Sequence, residues 1–172
     1  LWETARRIHP GLRTAQLFWW FNMYSSAEIA VTPRPAYPAD GRKIPDIYTE
    51  PPELRNQLNA KLGPFPLFRF WGPTADLVST RWIADCALEV LQREQVDLGL
   101  VYLPHLDYPL QRWGPDDPRI AAEVAAVDAE AGRILDAARA RGAAVSVVSE
   151  YGITRVSRGV HLNRLLREAG FL

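Results

Sequence analysis

Two short apolar runs of this sequence each end in a carboxylate, and these two carboxylates are the clearest candidates for functional residues. Residues 98–107 pass through apolar side chains to Asp107, and residues 145–152 pass through valines to Glu150. Ligands of open α/β sheets bind beyond the carboxyl ends of the strands, so polar side chains there are site candidates. Two carboxylates at one edge could hold a divalent metal ion that activates water or stabilises a transferring phosphoryl group.

Other polar residues close to these run ends are candidates for the same edge. His105 and Tyr151 stand beside the two carboxylates, and Asn22 follows a third apolar run. Each also has a structural interpretation: Asp107 could start a turn, Asn22 could form one, Tyr151 could pack, and His105 could be a hydrogen-bonded surface residue. The functional interpretation is favoured for Asp107, because of its position at the strand end. It is favoured for Glu150 too, because a carboxylate that closes an apolar strand is costly unless it is paired or metal-bound.

Buried strands and amphipathic helices are expected to position these residues. Apolar runs predict the strands, and helical spacing of apolar residues predicts the helices. In chain order, the sequence predicts strands at residues 16–21, 98–103 and 143–149 and helices at residues 79–95, 117–142 and 161–169. Ser79 and Asp117 are the expected N-caps. The β-α-β-α-β-α order predicts an α/β fold with a mostly parallel sheet and helices on both faces.

The segment at residues 32–52 has a different character, because prolines are spaced among charges and tyrosines. Proline removes ladder donors and disfavours helix in the preceding residue, so an extended loop is predicted. Such loops are often lids or binding loops, and the alternative is a flexible insert. Side chains such as Tyr37 and Tyr48 could pack and favour an ordered loop. A short helix at residues 52–62 and a brief strand at residues 66–71 are expected next.

Length and composition restrict the class of protein. The 172 residues fit a single α/β domain, and 20 basic and 20 acidic side chains cancel, which gives no case for nucleic acid or an anionic membrane as partner. No apolar run approaches bilayer length, and Cys86 is the single cysteine, so a reducing, cytoplasmic setting is expected. Both ends look cut, which predicts a central fragment of a longer domain.

The order of the motifs resembles the alkaline phosphatase superfamily, in particular its type I phosphodiesterase/nucleotide pyrophosphatase branch. In that branch an Asp-x-x-x-His pair followed by Gly-Pro ends one strand, a long helix follows, and the next strand closes in Ser-Asp-His-Gly. Here Asp107, then Gly114-Pro115, and then residues 149–152 (Ser-Glu-Tyr-Gly) stand in the same order. Residues 40–48 also look like the segment that follows the nucleophile region in such enzymes. The resemblance covers most of the chain and is clearest over residues 97–172.

The resemblance implies a hydrolase of phosphodiester or phosphoanhydride bonds, with a small phosphate-ester substrate and two divalent metal ions (zinc, or another such as manganese or iron). It assigns Asp107 and Glu150 as metal ligands. Gln111 and Tyr151 stand where the branch has ligand histidines, and neither replaces imidazole well on zinc. The Thr or Ser nucleophile is expected upstream of residue 1 and a last histidine ligand downstream of residue 172, so the fragment alone is predicted to be inactive.

Two further hypotheses remain open from the sequence. A family member without hydrolytic activity could bind a ligand or a protein through the proline-rich loop and the aromatic strand, and Gln111 and Tyr151 favour this alternative. A weaker alternative is another α/β transferase that shares only the architecture. No glycine-rich phosphate loop of the Rossmann or Walker type occurs, which counts against nucleotide binding in those modes.

Overall fold

A computed structural model of residues 1–172 shows a four-stranded sheet in the order β3-β2-β1-β4. The strands are β1 (Thr14–Leu17), β2 (Ile29–Pro33), β3 (Ile47–Glu50) and β4 (Leu98–Val101). The helices are α1 (Trp2–Ile8), α2 (Leu54–Leu62), α3 (Leu77–Arg93), α4 (Asp107–Trp113), α5 (Ile120–Ala140) and α6 (Leu162–Glu168). β1 runs parallel to both β2 and β4, and β3 joins antiparallel at one edge. The predicted α/β class with a mostly parallel sheet is confirmed.

Helix α3 covers one face of the central strand β1, whose side chains alternate between the two faces. Ala15 and Leu17 belong to the main hydrophobic core together with Ile83 and other apolar residues of α3. On the opposite face, Arg6 of α1 donates a hydrogen bond to Thr14 Oγ1 at 2.9 Å. No helix of the protein is long and apolar enough to cross a lipid bilayer.

The two long helices begin close to their predicted positions, but neither predicted N-cap residue caps its helix. Helix α3 starts at Leu77, and the carboxylate of Asp76 rather than Ser79 accepts the backbone N–H of Val78 at 3.0 Å. Helix α5 starts at Ile120, two residues beyond Pro118. Asp117 accepts the backbone N–H of Arg119 at 3.0 Å, but Arg119 is the N-cap residue and no side chain caps the first turn of α5. A capping oxygen such as that of Asp76 stabilises a helix by about 1 kcal/mol.

Strands β2 and β3 are partly within residues 32–52, which the sequence predicts as a loop. The prediction is wrong for these strands because Pro33 is the last residue of β2, so the residues before it still pair with β1 and β3, and β3 alternates buried and half-buried side chains. Only the connection between them is irregular. It is ordered, since Ala36 and Ile44 form an antiparallel bridge within it.

Two other predicted strands differ from the structure. The first ends at Leu17 instead of residue 21, because Phe18 adopts a left-handed backbone conformation with φ of 59°. Residues 66–71 contain a 3-10 turn (Leu67–Arg69) instead of a strand. There the backbone N–H of Arg69 bonds to Pro66 O at 2.9 Å, so local bonds replace a sheet ladder.

The strand predicted at residues 143–149 is absent, and its valines are largely exposed. Helix α5 closes at Gly142, with φ of 76°, and the chain then makes no ladder with β4. Apolar β-branched composition does not form a strand without a paired neighbour. β4 is therefore an edge strand, and the chain reaches Glu150 and Tyr151 as an irregular segment.

Candidate functional site

The candidate site lies beyond the carboxyl end of β4, where the chain turns into the short helix α4. Asp107 is the first residue of α4, a position at which a carboxylate is favoured by the helix dipole. Gln111 lies four residues later, on the same face of the helix. The sequence did not predict α4, and the possible turn at Asp107 is the start of this helix.

A hydrogen bond brings the end of the valine segment to Asp107. Tyr151 donates its phenolic O–H to Asp107 Oδ2 at 2.8 Å, although the two residues are far apart in the chain. The hydroxyl of Ser149 in turn donates to the backbone carbonyl oxygen of Tyr151 at 2.8 Å. The predicted meeting of the two run ends is therefore present, and a side-chain contact rather than strand pairing makes it.

Two phenols beside Asp107 show the local excess of negative charge. The hydrogen bond to Asp107, followed by burial and the charge of Glu150, raises the pKa of Tyr151 to about 12. Burial first, and then the charges of Asp107 and Glu150, raise the pKa of Tyr102 to about 12. Both phenols stay protonated at neutral pH, so Tyr151 acts here as a hydrogen-bond donor. Glu150 itself is exposed, and its charge contributes to the raised pKa of both phenols.

The groups gathered at this edge are oxygen donors, because the histidines and the cysteine lie elsewhere. His9 ends α1, His161 precedes α6, and His105 is hydrogen-bonded in a separate cleft. Cys86 is buried in the core, where burial raises the pKa of its thiol strongly. No three His, Cys, Asp or Glu side chains stand where they could hold a metal ion together. The residues present do not fit the imidazole-bearing two-metal centre that the resemblance implies.

His105, a predicted edge residue, is directed into a cleft of about 290 Å³. Its side chain is 4% exposed, and Nε2 lies 2.6 Å from Oε2 of Glu123 in the first turn of α5. Arg81, Arg112 and Trp113 line the same cleft. Sequence reasoning missed Glu123, since nothing in its helical position indicates a partner in the loop before α4.

Asn22, the other predicted edge residue, is buried between the first two strands. Its Nδ2 donates to the backbone oxygens of Gln16 at 3.1 Å and of Val31 at 2.9 Å. The amide nitrogen thus links the backbone of β1 to that of β2.

A second cleft, of about 560 Å³, lies against the proline-rich connection between β2 and β3. In it, both Nε and Nη2 of Arg55 lie 2.8 Å from the carboxylate oxygens of Asp46. Burial raises the pKa of Asp46, but the Arg55 hydrogen bonds and the Ile47 amide outweigh it, so the pKa is lowered. The guanidinium of Arg34, another lining residue, lies 5.5 Å above the ring of Tyr24.

Comparison with known proteins adds family information to this geometry. The family described as type I phosphodiesterase / nucleotide pyrophosphatase matches residues 1–172, the whole of the chain. Neither the curated proteins nor the solved structures that were compared gave a match. The family finding agrees with the resemblance carried by Asp107 and residues 149–152.

Proposed function

The chain belongs to the type I phosphodiesterase/nucleotide pyrophosphatase family, within the alkaline phosphatase superfamily, and we propose that the full-length protein hydrolyses phosphodiester or phosphoanhydride bonds of small phosphate esters. The family match supports a hydrolase of this kind. The contact between Tyr151 and Asp107 beyond β4 is the observation that carries the assignment to this edge. It joins two motifs of the family that lie 44 residues apart in the chain.

Asp107 and Glu150 are the groups that we propose for divalent-ion binding, since the family is generally metal-dependent. Tyr151 would hold Asp107 through Oδ2 and leave the other carboxylate oxygen open. Because this edge lacks imidazole, these residues do not complete a two-metal centre.

The test is hydrolysis by the full-length protein of bis(4-nitrophenyl) phosphate and of a dinucleoside pyrophosphate, with divalent ions added singly. Asp107→Ala and Glu150→Ala should each lower the rate by about 10- to 100-fold or more, as loss of metal-site groups does. Asp136→Ala is the matched control, because this carboxylate of α5 is 81% exposed and its one ion pair is with Arg139, at 3.8 Å. The proposal would be contradicted if no ion supports hydrolysis. It would also be contradicted if Asp107→Ala and Glu150→Ala hydrolyse the substrates as fast as the control Asp136→Ala.

A second candidate function is ligand binding without hydrolysis. The specific observation in its favour is that Gln111 and Tyr151 replace ligand histidines while the cleft beside Asp46 and Arg55 offers a separate surface. In that case calorimetric titration with the same phosphate esters should show binding without turnover, unaffected by Asp107→Ala. The cytoplasmic location expected from the single cysteine stays a prediction.

A further inference from the structure

His105 and Glu123 form a buried hydrogen bond that the proposed reaction does not use directly. His105 lies between β4 and α4, two residues before Asp107, and its side chain is 4% exposed. Its Nε2 lies 2.6 Å from Oε2 of Glu123. A polar ring buried in this way is costly unless it is hydrogen-bonded, so the pair fixes the segment that leads into Asp107 against α5.

Helix α4 depends on such anchors because it has only seven residues. Helices this short are not stable by themselves and take their position from packing. The C-terminal end of α4 is tied by Arg112, which donates to the backbone oxygen of Ala75 at 2.9 Å, and by Trp113, whose ring lies 4.0 Å from the guanidinium of Arg119. At the N-terminal end no side chain caps the helix, and His105 provides the anchor.

We propose that His105 and Glu123 are positioning residues for Asp107. The proposal rests on the proposed function in one respect, namely that Asp107 belongs to the reactive edge. The hydrogen bond to Glu123 fixes where α4 begins, and the first residue of α4 then carries its carboxylate to Tyr151. A displacement of about 1 Å at a reacting group can cost about 100-fold in rate, so an anchor outside the site can control the site.

The variants separate this role from a general contribution to stability. Glu123→Leu and His105→Leu remove the hydrogen bond, whereas Glu123→Gln keeps an acceptor oxygen in place of the carboxylate. Glu130→Leu is the matched control, because Glu130 is also a buried carboxylate of α5, bonded to Arg81 at 3.0 Å and to Arg133 at 2.7 Å. None of its partners belongs to α4.

The first readout is the NMR signal of the Tyr151 ring, assigned with Tyr151→Phe and referenced to Asp107→Asn, in which the contact is weakened. Glu123→Leu and His105→Leu should move the signal most of the way to the Asp107→Asn position. Glu123→Gln and Glu130→Leu should leave it near the wild-type position. If Glu123→Leu does not fold, Glu123→Asp, with its shorter reach, should move the signal in the same direction by less.

The second readout is hydrolysis of bis(4-nitrophenyl) phosphate. In Glu123→Leu, kcat should fall by about 10- to 100-fold while KM changes little. Glu123→Gln should keep a rate close to that of the wild type. A Tyr151 signal that stays in place in the folded variants, or one that Glu130→Leu moves as far, overturns the positioning role. The NMR measurement needs no turnover. An inactive wild-type protein with the expected signal shifts therefore contradicts the proposed function alone.

Discussion

Replacement of Tyr151 by Phe removes one hydroxyl and leaves the ring, so it isolates the contact that joins the two run ends. A hydrogen bond to a charged group contributes about 1.5–3 kcal/mol where it is well shielded. Tyr151 is 52% exposed, and water competes for both partners, so the expected loss is about 0.5–1 kcal/mol. For a chain of this size such a loss lowers Tm by about 1–4 °C.

A double-mutant cycle in urea unfolding measures this contact. Tyr151→Phe should lower the free energy of unfolding in the wild-type background and have almost no effect in the Asp107→Asn background, because the acceptor is weakened there. Tyr37→Phe is the control, since Tyr37 is 66% exposed and its hydroxyl makes no hydrogen bond within the protein. An equal loss in both backgrounds, or no loss at all, would refute the assignment of Tyr151 as the partner of Asp107.

Three further predictions concern pH, thiol reactivity and metal retention. Hydrogen bonds from Arg119 hold the pKa of Asp117 at about 2 in the folded protein, below the unfolded value of about 3.9. The ionised carboxylate therefore stabilises the fold above about pH 4. That contribution is lost as pH falls through the folded pKa of about 2. Urea titrations should therefore show Asp117→Asn less stable than wild type at neutral pH, with the difference shrinking as pH falls through about 2 and vanishing below it, and a constant difference would contradict this. The buried Cys86 should not react with a thiol reagent until urea unfolds the chain, and fast reaction of the native protein would show that the core opens. Elemental analysis after dialysis should find zinc retained far more strongly by a Gln111→His, Tyr151→His double variant than by the wild type, and equal retention would contradict the oxygen-only donor set.

The long periodic elements of this fold could be predicted from the sequence, because their local signals agree with their packing. The apolar face of α3 repeats at helical spacing over 17 residues and packs into the core, so the helix is found within two residues at each end. The parallel strand β4 has a continuous apolar run and is correctly expected. Both depend little on distant partners for their recognition.

The strands that depend on a partner could not be predicted in the same way. β2 and β3 are recognisable only as a pair, in which Val31 lies opposite Thr49. Conversely, residues 143–149 have strand composition but no neighbour, and they remain irregular. Pairing across the sheet therefore decides the state of both segments, and no local pattern carries that information.

The candidate site shows the same division between local signal and distant contact. Asp107, Glu150 and Tyr151 could be selected because each follows an apolar run, and the structure brings Tyr151 onto Asp107. The roles of His105 and Asn22 could not be predicted, since their partners, Glu123 and the backbone of β1 and β2, are defined only by the packing of other elements.

Diester hydrolysis by Asp107→Asn provides the most direct test of the central claim, which is that the edge beyond β4 is the reactive site. This variant keeps the size of the side chain and removes its charge. Compared with wild type at equal folded concentration, it should lose at least about 90% of the initial rate on bis(4-nitrophenyl) phosphate, as loss of a group at a metal site does. Wild-type rates in the folded Asp107→Asn protein would contradict the claim and place the activity elsewhere in the molecule.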